Sequence, residues 1–309
     1  MAAKARELVI VSGKGGTGKT SILASFAALG RADRIVLADC DVDAADLHLV
    51  LRPRVVRRET FRGGHVASIR AADCRLCGYC FELCRFGAVR EVPSGRGALV
   101  FSIDPAACEG CGVCRDRCPA GAIDFLERTS GEWYVSETDY GPLVHARLLP
   151  GAENSGKLVK AVRDAAREIA EGRGADAILV DGPPGAGCPV IASVAGAALV
   201  LAVAEPTLSA LHDLRRVLGL ARHFHIPCAV AVNKCDIAPE LTERIESEAA
   251  GAGASLAGRV RYDSAVTAAQ IQGKPVAEMP GSPAAQDIRE LWDRVREDLL
   301  SAAPPREGR

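Results

Sequence analysis

The sequence predicts an α/β protein: a mainly parallel sheet with helices on both faces, interrupted by a small α+β insert rich in cysteine. Three observations predict it. Short apolar runs alternate with helix-like stretches on both sides of the insert, the order expected of parallel strands joined by crossover helices. A glycine-rich loop, Gly13 to Thr20, joins the first apolar run to the first helix. Eight of the twelve cysteines fall in two copies of one spacing, Cys74-x2-Cys77-x2-Cys80-x3-Cys84 and Cys108-x2-Cys111-x2-Cys114-x3-Cys118.

In chain order, Glu7 to Ser12 reads as a buried strand, and the loop feeds a helix from about Ser21 to Leu29. Arg34 to Ala38 is a second strand, and a charged, hairpin-like stretch follows from Arg52 to Arg70. The cysteine region is an internal repeat, CRLCGYCFELCRFGAV from Cys74 recurring 34 residues on as CEGCGVCRDRCPAGAI, with Gly78, Gly87 and Ala88 matched by Gly112, Gly121 and Ala122. Two copies are too few for a solenoid. Strand-like pieces at Glu132 to Val135 and Leu143 to Leu149 lead to a helix from about Asn154 to Glu171. Strands at Ala177 to Val180, Ala198 to Val203 and Cys228 to Val232 then alternate with a helix at Leu211 to His223. A last helix runs from about Ala285 to Ser301, its Ile288, Leu291, Trp292, Val295 and Leu299 at helical spacing. Its acidic surplus disfavours anionic lipid, so it is expected to pack against the domain. The expected domains are 1–70 with 128–301 around an insert of 71–127, and a disordered tail at 302–309.

Composition narrows the partners. The 309 residues are 48% hydrophobic and 4% aromatic, apolar content carried by small aliphatic residues that suit parallel strands buried on both faces. A net charge of -1 leaves no electrostatic footprint for nucleic acid. The longest apolar stretch, Pro189 to Ala204, is too short to span a membrane, and the start of the chain has too short an apolar run for a signal peptide. A cytoplasmic protein is expected, with neither membrane nor nucleic acid as partner. In that reducing compartment, twelve cysteines argue for metal ligation over disulfides.

The loop Gly13-Lys14-Gly15-Gly16-Thr17-Gly18-Lys19-Thr20 fits the phosphate-loop pattern, in the required place between strand and helix. Its glycines let backbone N–H groups turn inward around phosphates. Lys19 can reach the β and γ oxygens, and the Thr20 hydroxyl can bind magnesium. The fold class is therefore that of a P-loop nucleoside triphosphatase.

The second lysine, Lys14, makes the loop resemble the deviant phosphate loop of the MinD, nitrogenase iron protein and Mrp superfamily. That resemblance implies a dimer with nucleotide at the interface, in which Lys14 reaches the partner's phosphates. Asp39-Cys40-Asp41-Val42-Asp43 is similar to the family's switch I, which implies that Asp41 positions the attacking water and Asp39 supports magnesium. ILVDGPPG is similar to its Walker B strand and switch II: Asp181 would support magnesium, and Gly182, Pro183, Pro184 and Gly185 would form the switch. Asn233-Lys234-Cys235-Asp236 resembles the base-binding motif, with Asn233 on the purine and Asp236 beside it. This tetrapeptide also resembles the guanine-reading motif of GTPases, and the family resemblance favours ATP. Lys14, Lys19 and Asp41 are the expected catalytic groups.

Each cysteine run has the bacterial-ferredoxin spacing, three close thiolates on one 4Fe-4S cluster and a fourth that crosses to the other. This implies one cluster on Cys74, Cys77, Cys80 and Cys118 and a second on Cys108, Cys111, Cys114 and Cys84. Zinc knuckles would instead pair into one set of four. Arg85 stands where ferredoxins often have proline, matching Pro119 in the second run. Cys40, Cys188, Cys228 and Cys235 default to small buried residues. Cys188 follows Asp181 at the offset of the nitrogenase iron protein's cluster cysteine, which implies a thiol facing the dimer interface. The six histidines show no ligand spacing.

Together these motifs resemble the ferredoxin-insert subgroup of MinD-type ATPases. The resemblance implies two 4Fe-4S clusters, ATP and Mg2+ as cofactors, and hydrolysis coupled to electron transfer to an unidentified redox or metalloprotein client. A carrier that delivers clusters or metal, as Mrp-type relatives do, is the alternative. A MinD-like spatial organiser is disfavoured by the acidic terminal helix.

Overall fold

The computed structural model describes residues 4–31, 34–95, 97–149, 152 and 156–302. The strands are β1 (Arg6–Ser12), β2 (Ile35–Asp39), β3 (Arg54–Ile69), β4 (Val89–Pro93), β5 (Leu99–Ile103), β6 (Ile123–Thr138), β7 (Gly141–Leu148), β8 (Ala177–Pro184), β9 (Leu199–Ala204), β10 (Cys228–Asn233) and β11 (Ser255–Val260). The helices are α1 (Lys19–Leu29), α2 (Leu47–Leu51), α3 (Tyr79–Leu83), α4 (Val113–Asp116), α5 (Lys157–Arg173), α6 (Cys188–Val194), α7 (Leu208–His223), α8 (Pro239–Gly251), α9 (Ala265–Gln272) and α10 (Pro283–Ser301), with a 3-10 turn at Val276–Glu278.

Nine strands form one sheet in the order β11-β10-β9-β1-β8-β2-β7-β6-β3. From β11 to β7 every neighbouring pair runs parallel. Burial on both faces explains why these strands are continuous runs of Val, Ile, Leu and Ala: β2 and β9 are buried at every position, β1 from Glu7 onward. Because the strands are parallel, their carboxyl ends share one edge, where ligands of open α/β sheets bind. The loop after β1, Asp39 at the end of β2, Asp181 in β8, Glu205 after β9 and Asn233 at the end of β10 all lie along it.

The helices begin and end where local chemistry allows. Thr207 caps α7 by accepting the Ala210 N–H at 3.2 Å, and Ser282 caps α10 by accepting the Ala285 N–H at 3.1 Å, each cap adding about 1 kcal/mol. The apolar stripe of α10, Ile288, Leu291, Trp292, Val295 and Leu299, is buried in the main core, with Trp292 against Phe26 at 4.9 Å between ring centres. Among the described residues, no helix is long and apolar enough to cross a membrane.

By internal contacts the chain divides into one unit of Met1–Glu59, Trp133–Arg147 and Asn154–Arg309, and a second of Thr60–Glu132 with Leu148–Glu153. In the second unit β4 and β5 form an antiparallel pair, Val89 opposite Ile103 and Pro93 opposite Leu99. The hairpin expected at Arg52 to Arg70 is absent. The chain runs there as one 16-residue strand in which Gly64 takes φ +72°. The segment 303–309 of the expected tail lies outside the described residues, as do Asn154 and Ser155 of the expected helix.

Candidate functional site: a phosphate loop with three buried carboxylates, and two four-cysteine cavities

The Gly13–Thr20 loop is shaped by glycines for distinct reasons. Gly16 and Gly18 adopt φ +78° and +91°, a region that side chains disfavour. A Cβ on Gly13 would stand 2.1 Å from the Asp213 Cβ, so helix α7 leaves no room for one. Lys19, the first residue of α1, is 5% exposed, and its ammonium lies 3.8 Å from an Asp41 carboxylate oxygen. The next side chain points at β8: the Thr20 hydroxyl donates to Asp181 Oδ2 at 2.6 Å.

Three carboxylates converge behind the loop. Asp39 accepts the Asp41 and Leu47 amides, each at 3.2 Å, which fixes the segment that follows β2. Burial and the neighbouring Asp181 push the Asp39 carboxyl well above its usual range. Burial likewise raises Asp41 to about 6 against the opposing pull of Lys19, and Asp181 to about 6 against Lys19 and Thr20. One Asp181 oxygen, Oδ1, is buried without a hydrogen-bond partner, as is the Thr17 hydroxyl. Buried polar atoms are rarely left unpartnered. An anionic oxygen of this kind beside a threonine hydroxyl and two more carboxylates suits a hard, oxygen-seeking divalent cation.

At the far side of the loop, Asn233 Nδ2 donates to the Thr17 carbonyl at 2.8 Å and its Oδ1 accepts the Lys234 amide at 3.0 Å. Asp236 Oδ1 accepts the Tyr262 amide at 2.7 Å. Asn233 therefore ties the end of β10 to the phosphate loop, and Asp236 braces the segment after β11. On β8, a Cβ on Gly182 would meet Val11 Cγ1 at 2.7 Å and the Ile10 carbonyl at 2.8 Å. Pro183 and Pro184 complete β8, and the Gly185 amide donates back to the Ser12 carbonyl at 2.8 Å. Cys188 opens α6 and is exposed, whereas Cys40 is buried and its thiol pushed far up by burial. The default of a buried thiol therefore fails at Cys188: α6 packs Val190, Ser193 and Val194 inward and leaves its first residue outside.

The structure gathers the repeat cysteines into two sets. Cys74, Cys77, Cys80 and Cys118 line one small cavity. Cys108, Cys111, Cys114 and Cys84 line another. The walls are otherwise mainly apolar, with Ile69, Phe101 and Ile123 around the first and Leu83, Phe86, Val89 and Ile103 around the second. Backbone geometry repeats as the sequence does. Gly78 and Gly112 take φ +79° and +78°, and Gly87 and Gly121 take +64° and +57°. Each distant cysteine meets backbone amides that follow it: Ala122 N–H donates to Cys118 Sγ at 3.4 Å. At Cys84, burial opposes ionisation, but the Ala88, Phe86, Val89 and Gly87 amides outweigh it and hold the thiol below its ordinary value. Arg85 does not disturb these contacts, and its guanidinium lies over the Phe86 ring at 5.0 Å. Among the described residues, no three His, Cys, Asp or Glu side chains converge as ligands of a single metal ion would. Sets of thiols spread around a hollow fit a larger group that offers each thiolate its own metal atom.

The repeat also gives a prediction. Leu76 and Gly110 occupy matching positions with φ +56° and +59°, but a Cβ on Gly110 would stand 2.3 Å from the His65 carbonyl oxygen. Gly110→Ala is expected to destabilise the second unit by about 2 kcal/mol through that clash and the left-handed backbone. Leu76→Gly is expected to be neutral or stabilising, and thermal unfolding of the two variants checks the difference.

Sequence reasoning missed Glu205. It follows β9, and its carboxylate meets Lys14 Nζ at 2.5 Å and Lys234 Nζ at 3.1 Å. Its only sequence signal is an acid beside a proline at the carboxyl end of a buried strand.

Fold and loop together define a P-loop nucleoside triphosphatase. Residues 8–276 match the family described as the CobQ/CobB/MinD/ParA nucleotide binding domain, and the chain belongs to that family and is an ATPase. The uncharacterized protein MJ0578 of Methanocaldococcus jannaschii is 35% identical over 236 residues, covering 74% of this chain and 78% of its own. The uncharacterized protein MJ0579 of the same organism is 25% identical over 233 residues, covering 74% and 80%. Among solved structures, the Pyrococcus furiosus cell division ATPase MinD aligns with a TM-score of 0.56 at 18% identity, covering 95% of this chain and 99% of its own. The Pyrococcus horikoshii septum site-determining protein MinD, complexed with Mg-ADP, aligns with a TM-score of 0.56 at 19% identity, covering 94% and 96%. The Cyanothece McdA–ATP complex aligns with a TM-score of 0.57 at 16% identity, covering 99% and 100%.

Proposed function

We propose that this ATPase is a dimeric switch carrying two 4Fe-4S clusters, in which the nucleotide state governs electron transfer to a redox or metalloprotein client. The observation that carries the reading is the sorting of the eight repeat cysteines into two cavities by crossed sets of four, in a chain that also holds a complete phosphate loop. In this reading residues 71–127 are a ferredoxin-type insert in an ATPase domain of 1–70 and 128–301.

The residues around the loop have defined tasks. Backbone N–H groups of Gly13, Gly15, Gly16, Thr17 and Gly18 bind the phosphates, and Lys19 neutralises the charge that develops on the β and γ oxygens. Thr20, Asp39 and Asp181 hold magnesium, directly or through water, which supplies electrostatic stabilisation of the transferring phosphoryl group. Asp41, exposed by 8% and within reach of Lys19, orients the attacking water. Asn233 and Asp236 bound the base, and Lys14 reaches the nucleotide of a second copy. Hydrolysis releases the phosphate that Gly182, Pro183, Pro184 and Gly185 sense, and the interface relaxes. In the insert, Cys74, Cys77, Cys80 and Cys118 ligate one cluster and Cys84, Cys108, Cys111 and Cys114 the other. The apolar cavity walls and the N–H donors to Cys84 and Cys118 tune potential by excluding water and stabilising thiolate charge.

Light scattering and iron analysis of anaerobically prepared protein test this reading. Asp41→Ala with ATP and Mg2+ is expected to form a stable dimer holding about eight iron atoms per chain. The wild type with ADP is expected to be monomeric. An iron-free protein after reconstitution, or a monomer in every nucleotide state, would contradict it.

A further inference from the structure

The Glu205 carboxylate receives two ammonium groups from different loops. Lys14 approaches one oxygen at 2.5 Å and Lys234 the other at 3.1 Å, and the carboxylate itself is only 15% exposed. Lys234 also donates to the Gly16 carbonyl at 3.3 Å, so it spans from Glu205 to the phosphate loop. Its backbone, at φ +57°, is strained into this position. Burial alone would raise the Glu205 carboxyl, but the two lysines hold it below its usual value, so it stays an anion at neutral pH. Lys14 is thus folded back onto its own chain.

Resting on the reading of Lys14 as a residue that serves a second copy, we propose that Glu205 is a latch in cis: it stores Lys14 on its own subunit and sets the threshold for nucleotide-dependent dimerisation. Lys14 cannot bind Glu205 and the partner's phosphates at once, so closure exchanges one anion for another. The second lysine makes the exchange reversible. When Lys14 leaves, Lys234 still neutralises Glu205, and no unpaired charge is left in a half-buried site, a situation that is otherwise costly. Glu205 touches neither phosphate nor water in this scheme and is a positioning residue. Lys14 and Lys234 sit 34% and 31% exposed, so each can move without unpacking the core.

Glu205→Gln separates the latch from a structural brace. Glutamine keeps the shape and an oxygen to accept from Lys234, but it loses the charge that retains Lys14. The ATP-dependent dimerisation constant, measured by light scattering or sedimentation, is expected to tighten roughly tenfold, because a dimer releases two partly exposed ion pairs. Glu205→Asp, which keeps the charge, is expected to stay near the wild type. Affinity of the monomer for a fluorescent ATP analogue is expected to change by less than about twofold in Glu205→Gln. A Glu205→Gln protein that dimerises no more tightly than a dimerising wild type overturns the latch alone. Parallel loss of monomer affinity also overturns it, since Glu205 would then merely shape the loop. A wild type and an Asp41→Ala protein that both stay monomeric with ATP overturn the dimer reading and the latch with it.

Discussion

Asp181→Asn is expected to make the nucleotide-free protein more heat-stable at pH 7.5 while its magnesium-dependent hydrolysis falls at least about a hundredfold. Asp39, Asp41 and Asp181 are held close together in a buried site, and Asp41 and Asp181 titrate at about 6 because burial disfavours their ionised forms. An acid whose folded value is raised contributes stability that is present below its unfolded value, near 4, and lost as pH rises to about 6. Above that the penalty is constant, on the order of 3 kcal/mol for Asp181. A neutral asparagine removes it and keeps an oxygen to accept from the Thr20 hydroxyl. The expected gain in melting temperature is about 5 °C at pH 7.5, shrinking toward zero as pH falls to 4. ATP with Mg2+ should reverse the order, stabilising the wild type more than the variant, because the cation neutralises what the apo protein leaves exposed to mutual repulsion. Melting curves across pH, with and without nucleotide, check both halves. A variant less stable than wild type at pH 7.5 would show that the Lys19 and Thr20 interactions with Asp181 outweigh its burial.

Cys84→Ser is expected to remove one cluster and leave the other, with iron falling from about eight to about four atoms per chain. The lost site is the one lined by Cys108, Cys111 and Cys114, although Cys84 is closer in sequence to the Cys74 run. Cys118→Ser should do the reverse. The crossing is exposed by pairing variants. Cys84→Ser with Cys108→Ser damages a single site and should retain about four irons, whereas Cys84→Ser with Cys74→Ser damages both and should retain almost none. Iron and acid-labile sulfide after anaerobic reconstitution give the counts. Equal iron in the two double variants would contradict the crossed sets.

Much of this was legible in the sequence because backbone constraints leave specific residues behind. The phosphate loop needs glycines at Gly16 and Gly18 for positive φ, and the cysteine repeat needs them at Gly78, Gly112, Gly87 and Gly121. Parallel strands buried on both faces announce themselves as unbroken apolar runs, and β1, β8, β9 and β10 fall within a few residues of their expected limits. What escaped lacks such a residue pattern. Helix α2 has five residues, and α9 is built of small side chains with Ala269 as its only buried position, so neither shows a periodic face. β11 begins with two exposed residues and has an irregular register at Val230 and Ala231 of β10, which blurs its apolar run. The charged stretch from Arg52 to Arg70 reads as hairpin-like, whereas in the structure it forms one strand, β3. Glu205 was invisible because its meaning lies in two lysines from distant loops.

The claim that nucleotide state governs the clusters is tested most directly by their reduction potentials. Anaerobic redox titration of the wild type is followed by electron paramagnetic resonance, once with ADP and Mg2+ and once with a non-hydrolysable ATP analogue and Mg2+. A shift of at least about 30 mV between the two states, lost in Lys14→Ala, is predicted; for a one-electron couple it corresponds to a few-fold change in the reduction equilibrium. Identical potentials in both states, with both clusters present and the dimer formed, would contradict the account.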